Sequence, residues 1–110
     1  KASAYFKEDS ANLSPKAIKE MARFSKLIFL LPNKIQIEGH TQKKITKNWG
    51  STWELAGARA SKVARFLIEN GLDPTKITVK SFGSTRPRFR EVSARQKILN
   101  NRVEVVVLPE

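Results

Sequence analysis

A chain of 110 residues, 40% apolar and 28% charged with five Gly and five Pro, has the size and composition of one domain, residues 1–110, with a buried core; it is neither disordered nor fibrous in character. No cysteine and a single histidine exclude disulfides, thiol nucleophiles and cysteine- or multi-histidine-ligated metal, and the longest apolar run, Leu27 to Leu31, is far short of the roughly 20 residues that cross a bilayer. Twenty-one Lys and Arg against ten Asp and Glu leave a net charge of +11, spread over both halves, so an acidic partner has to be weighed: nucleic acid, lipid headgroup or wall polymer.

Ala4, Tyr5 and Phe6 form a short extended apolar patch. Ser14-Pro15 then supplies an N-cap and a first helical residue whose missing N–H would have had no partner there. From that point Ile18, Met21, Ala22, Ser25, Ile28 and Phe29 recur at spacings of three and four, and Pro32 stops the helix. Ile35, Ile37 and Gly39 alternate with polar residues as a strand that His40 ends. Residues 41–52 are too polar and aperiodic for either element, and long loops of this kind are often functional. Ser51 and Glu54 read as a capping box, after which Ala56, Ala60, Val63, Ala64 and Leu67 share one helical face from about Trp53 to Asn70-Gly71. Beyond the Asp73-Pro74 turn, Ile77, Val79 and Ser81 alternate as a second interior strand. Residues 83–101 are a second long connection with a short helical piece at Ser93–Leu99, and the β-branched run Val103–Leu108 is the final strand. This order predicts an α/β fold, a two-layer sandwich of a mixed sheet with helices on one face. Right-handed crossovers make the helix-joined strands parallel and leave the last strand free to run either way.

The most specific stretch is Ile37-Glu38-Gly39-His40-Thr41 followed, after eleven intervening residues, by Trp53-Glu54-Leu55-Ala56-Gly57-Ala58-Arg59-Ala60. It resembles the OmpA-like C-terminal, peptidoglycan-binding domain superfamily, and the Trp-Glu-Leu ahead of the Arg-Ala pair is most similar to the superfamily's flagellar stator branch, the MotB subunits. Phe6 to Leu13-Ser14-Pro15, Gly71 to Pro74, Phe82-Gly83 to Arg86-Pro87 and Asn100-Asn101-Arg102-Val103-Glu104 extend the likeness along the chain. The resemblance implies an OmpA-like βαβαβ-type sandwich in the bacterial periplasm that grips the stem peptide of peptidoglycan non-covalently and anchors the cell wall. It implies a membrane partner or membrane segment outside this chain, at the inner or outer membrane, and a homodimer. It implies no catalytic residue, cofactor or metal, hence no enzyme. The chain begins at Lys1 without a secretory-type segment, which is expected of a cytoplasmic protein or of a mature or excised piece.

By the same resemblance the ligand-binding residues are Thr41, Gln42, Thr52, Leu55, Arg59 and Arg102. A diaminopimelate-type stem carries an ammonium and a carboxylate on one end, so its site needs a fixed acid and a fixed guanidinium. The resemblance makes Arg59 that guanidinium, leaning over the long loop, with Arg102 completing the clamp. Gln42 stands where the family has its acid, and Thr52 and Ala56 replace the usual asparagine and serine. Glutamine accepts a hydrogen bond from an ammonium but brings no charge, so grip on diaminopimelate is expected to fall and an acid restored at position 42 to tighten it. Lys43, Lys44 and Lys47 favour anionic groups instead. The alternative is a degenerate copy of the fold that serves protein–protein interaction or dimerisation. A basic nucleic-acid-binding module ranks below both, because charge and interleaved aromatics motivate it while no nucleic-acid motif supports it. His40 reads as a hydrogen-bonded structural residue, Trp53 as a buried anchor of the loop, and Arg86, Arg88, Arg90 and Arg95 as a solvated basic loop.

Overall fold

In the computed structural model, which describes residues 1–44 and 48–110, the elements follow one another as β1 (Ala2–Tyr5), α1 (Pro15–Ile28), β2 (Ile35–Gly39), α2 (Thr52–Glu69), β3 (Ile77–Ser81), α3 (Ala94–Asn100) and β4 (Arg102–Val107). The sheet order is β1-β4-β2-β3, with β2 and β3 parallel and β4 antiparallel to both of its neighbours. The last strand therefore inserts between β1 and β2, which run in the same direction without touching. Lys47 lies outside the described residues.

Period-two alternation puts Ile35, Ile37 and Gly39 of β2 and Val103 and Val105 of β4 on one face, paired as Ile37 with Val105 and Gly39 with Val103. Met21 and Ile28 from α1 and Ala60, Val63 and Leu67 from α2 close over that face and complete the core with Ala4 and Phe6. The stripe of α2 is the one its sequence predicts. That of α1 is met in part: Met21, Ser25 and Ile28 are buried as expected, but Ala17 is buried in place of Ile18, and Ile18 and Phe29 are 42% and 53% exposed. Ala17, Met21, Ser25 and Ile28 keep helical spacing equally well, so periodicity alone does not choose between the two faces. The helix also ends at Ile28, four residues before Pro32, through a closing turn in which Leu31 N–H reaches the Ile28 carbonyl. β3 is an edge strand rather than an interior one, and Val79 is 40% exposed. Among the described residues no helix is long and apolar enough to cross a membrane.

One contact fixes the distance between the layers. A Cβ built on Gly39 would lie 1.9 Å from the backbone oxygen of Ala56 and 3.2 Å from the Ala60 Cβ. The first turns of α2 thus ride directly on the end of β2, which only glycine allows. Gly39→Ala is expected to cost about 3 kcal/mol of stability in urea denaturation, since backbone atoms must separate. Gly57→Ala, whose Cβ would meet only the Ser81 Cβ at 3.7 Å, is expected to be neutral or slightly stabilising.

Candidate ligand-binding cleft

Arg59 sits one helical turn beyond Ala56, and the close seating of α2 carries its side chain into the interior, where it is 0% exposed. A guanidinium has five N–H groups, and all five are used. Nε donates to the Ser10 carbonyl at 2.8 Å. One terminal nitrogen donates to the His40 carbonyl and Asn101 Oδ1 at 3.1 and 2.9 Å, and the other to the Lys7 and Glu8 carbonyls at 2.8 and 3.1 Å. Burial lowers its pKa to about 10, opposed by the nearby Asp9 charge, so it stays cationic at neutral pH. The resemblance places this guanidinium leaning over the long loop. This structure instead gives every N–H of Arg59 to the chain itself.

From Arg59 a hydrogen-bond chain runs outward. Asn101, also fully buried, turns its oxygen to Arg59 and must turn its amide nitrogen away; that nitrogen donates to Gln42 Oε1 at 2.7 Å. Gln42 is 6% exposed, and its own amide nitrogen donates to Glu8 Oε1 at 3.1 Å on the surface. Its backbone N–H is held by Asn101 Oδ1 as well.

Glu8 and Gln42 line an open cleft of about 950 Å³ between the 41–44 loop and the segment from Pro87 to Ile98. Its rim is cationic, with Lys43, Lys44, Arg88, Arg90 and Lys97. Arg88, Arg90 and Arg95 on the far wall are exposed, as is Arg86 beside it, as expected of a solvated basic loop, but the wall is braced. Asn100 accepts from the Arg88 and Phe89 N–H groups and donates to the Phe89 carbonyl and to Glu91, whose carboxylate accepts the Lys43 N–H. Asn100, Asn101, Glu8 and Glu91 are contributors that residue-by-residue reading did not assign. The adjacent buried asparagines ahead of the last strand are the one signal of them in the sequence, while nothing in the sequence places Glu8 beside Gln42.

Of the six expected ligand residues, then, Gln42 alone lines the cleft. Thr41 is buried, its hydroxyl donating to the Gln42 carbonyl and its N–H to the Gly83 carbonyl. Leu55 is buried in α2, and Thr52 is half-buried at the start of that helix against Gly83. Arg102 alternates with the core-facing Val103 and so lies on the opposite face of the sheet, where it pairs with Glu104 and donates to the Arg86 carbonyl. It forms no clamp with Arg59. Trp53 is 51% exposed, not buried. Trp49 is half-buried, its indole N–H donating to the Asp9 carbonyl.

On the open sheet face, burial alone would raise the Glu104 carboxyl. Hydrogen bonds from Lys1 and Arg102, with their charges, outweigh that and hold its pKa at about 2. His40 is buried there, stacked on Phe82 at 5.3 Å, and neither ring nitrogen has a hydrogen-bond partner among the described residues, contrary to the expected hydrogen-bonded histidine. Desolvation, reinforced by Arg102, lowers its pKa to about 4.

These features define a two-layer α/β domain with a cationic cleft joined by a hydrogen-bond network to a buried arginine, and the chain belongs to the OmpA family, whose model matches residues 5–101. It is 37% identical over 87 residues to Motility protein B of Helicobacter pylori, covering 76% of this chain and 34% of that one. It is 29% identical over 101 residues to the Peptidoglycan-associated lipoprotein of Pseudomonas putida, covering 92% and 60%. The crystal structure of the C-terminal domain of Helicobacter pylori MotB superposes with a TM-score of 0.88 at 29% identity, covering 97% of this chain and 83% of that one. The chain thus spans about a third to three fifths of the length of these two curated relatives.

Two stability measurements test the electrostatics. Arg59→Ala leaves several buried oxygens without donors and is expected to cost about 3 to 5 kcal/mol in urea denaturation; Arg59→Lys, with three donors for five acceptors, costs about 2 kcal/mol or more. His40 has a folded pKa below its ordinary 6.5, so the unfolded chain binds the extra proton between pH 6.5 and 4 and stability falls as pH drops through that window. The loss is expected to be about 2 to 3 kcal/mol between pH 7 and 4, and His40→Phe should flatten it. A further loss below pH 4.5 belongs to Glu104.

Proposed function

We propose that this chain is a non-covalent peptidoglycan-binding domain that holds the stem peptide of the cell wall in the cleft between the 41–44 loop and the 87–98 segment. Three things support the reading: membership of the OmpA family, relatives named for motility and for peptidoglycan association, and the cleft itself. The observation that carries it is the position of Gln42, which carries the network from Arg59 out to Glu8 and lines a cavity of peptide-binding size rimmed by cations. Stem peptides present several carboxylates, and Lys43, Lys44, Arg88 and Arg90 are placed to meet them.

In this reading Gln42 meets the ligand, Arg59 anchors the network that positions it, Thr41, Thr52, Leu55 and Arg102 support the fold from outside the cleft, and no reaction takes place there. The domain works in the bacterial periplasm as the wall-holding end of a longer, membrane-anchored, MotB-like protein. It pairs with a second copy as stator subunits do; the resemblance supports both points. A second reading, a copy of the fold that holds a protein partner, is favoured by one observation, the absence of a spare N–H on Arg59.

Co-sedimentation with purified insoluble peptidoglycan separates the two. The domain is expected in the pellet at low and moderate salt, and the triple charge reversal Lys43→Glu, Lys44→Glu, Arg90→Glu is expected to weaken retention about tenfold or more. A wild-type domain that stays in the supernatant at both salt concentrations rules out wall binding and leaves the protein-partner reading.

A further inference from the structure

The cleft carries a negative group as well as its cations. Two carboxylates line it, Glu8 and Glu91. Glu91 is taken up structurally: both its oxygens accept from the Lys43 N–H, and one also accepts from Asn100 Nδ2. Glu8 is exposed and, among the described residues, accepts one hydrogen bond, from Gln42. Its backbone is fixed too, because its carbonyl takes one of the Arg59 N–H groups. It is an anchored acid with capacity left over, set among cations.

The direction of the hydrogen-bond chain explains the amide at position 42. Arg59 can only donate, so Asn101 must offer it oxygen and present nitrogen to the next residue. Residue 42 must then accept from Asn101 and donate to Glu8. A glutamine does both, whereas a carboxylate accepts from Asn101 but has no proton for Glu8, and would place a second negative charge about 3 Å from the first. The substitution that looks like a lost acid in the sequence is what a neighbouring acid on another segment requires.

We propose that Glu8 is the ammonium-reading group of the cleft, positioned by Arg59, Asn101 and Gln42, and that the ligand is a zwitterionic peptide end whose side-chain ammonium meets Glu8 while its carboxylates meet the lysine and arginine rim. The assignment rests on the peptidoglycan-binding reading and names the feature of the stem peptide that is recognised, a free side-chain amine on its diamino acid. Gln42 is a positioning residue.

The test is calorimetry with the soluble tripeptide L-Ala-γ-D-Glu-meso-diaminopimelate and with the same peptide acetylated on its side-chain amine, alongside sedimentation with insoluble peptidoglycan. The wild-type domain is expected to prefer the free amine by about three- to tenfold, the range of an exposed charge-assisted contact. Glu8→Gln keeps an acceptor for Gln42 and, at an exposed position, the fold; it is expected to bind both peptides alike. Gln42→Met keeps Glu8 but frees it, and is expected to lose part of the preference, with the thermal midpoint of each variant read in parallel to confirm folding. Equal affinity of the wild-type domain for the two peptides overturns the role of Glu8, as does a preference that survives in Glu8→Gln; sedimentation with the wall would still stand in both cases. A wild-type domain that neither sediments nor binds either peptide removes the peptidoglycan reading and the Glu8 assignment with it.

Discussion

A guanidinium removed wholly from water is the constraint around which this molecule is arranged. Desolvating a cation is expensive, and it is tolerated here because five oxygens surround it, four of them backbone carbonyls. Among the described residues no carboxylate is seen hydrogen-bonded to it; dipoles do most of the neutralising, and the Asp9 charge favours the cation. Dipoles solvate a cation only if they point at it, so the path of the chain from Lys7 to Ser10 is dictated by where Arg59 ends. Lysine, with a compact head and three donors, does not span that spread of acceptors.

The position of Arg59 follows from a steric fact two elements away. Gly39 lets the backbone of α2 touch β2 at Ala56, and one turn later the same helix brings Arg59 level with the His40 carbonyl. A wider strand–helix gap would leave the guanidinium short of its acceptors on one side. Packing at a single glycine and polar satisfaction at a single arginine are thus one geometric condition. The 7–10 segment, and with it Glu8, inherits its placement from that condition.

Much of the fold was legible because it depends on local periodicity. The capped starts of both long helices at Ser14 and Ser51, the buried face of α2, the alternation of β2 and the mixed sheet all follow from spacing and caps. Expectations slipped where periodicity is degenerate or where the neighbour is distant. The margin of the α1 face shifted because Ala17 and Ile18 both fit the spacing of Met21, Ser25 and Ile28, and Val79 alternates like a core residue although its strand is at the edge of the sheet. The site was legible in part. Arg59, Gln42 and Arg102 drew attention for sound chemical reasons, but burial and direction are properties of the folded chain. Arg102 faces the other side of the sheet, and the acid beside Gln42 comes from 34 residues earlier.

The two asparagines before β4 show how little structure is needed to hold the cleft open. Asn100 binds the 88–91 wall through four hydrogen bonds, and Asn101 binds Gln42 and Arg59 on the opposite side. They are consecutive residues, so their side chains diverge, one to each wall, and the separation of the walls is set by the short α3 and its junction with β4. α3 is itself fixed at its other end by the Ser93–Gln96 capping box. The basic residues carried by this connection therefore sit on a braced wall, and part of the +11 charge of the chain lines the same cleft as the exposed Glu8. A mobile basic loop attracts any polyanion. Cations braced in one cleft with a carboxylate are, in the proposed reading, suited to ligands that carry both signs, whereas a uniformly negative polymer would meet Glu8 as well as the rim.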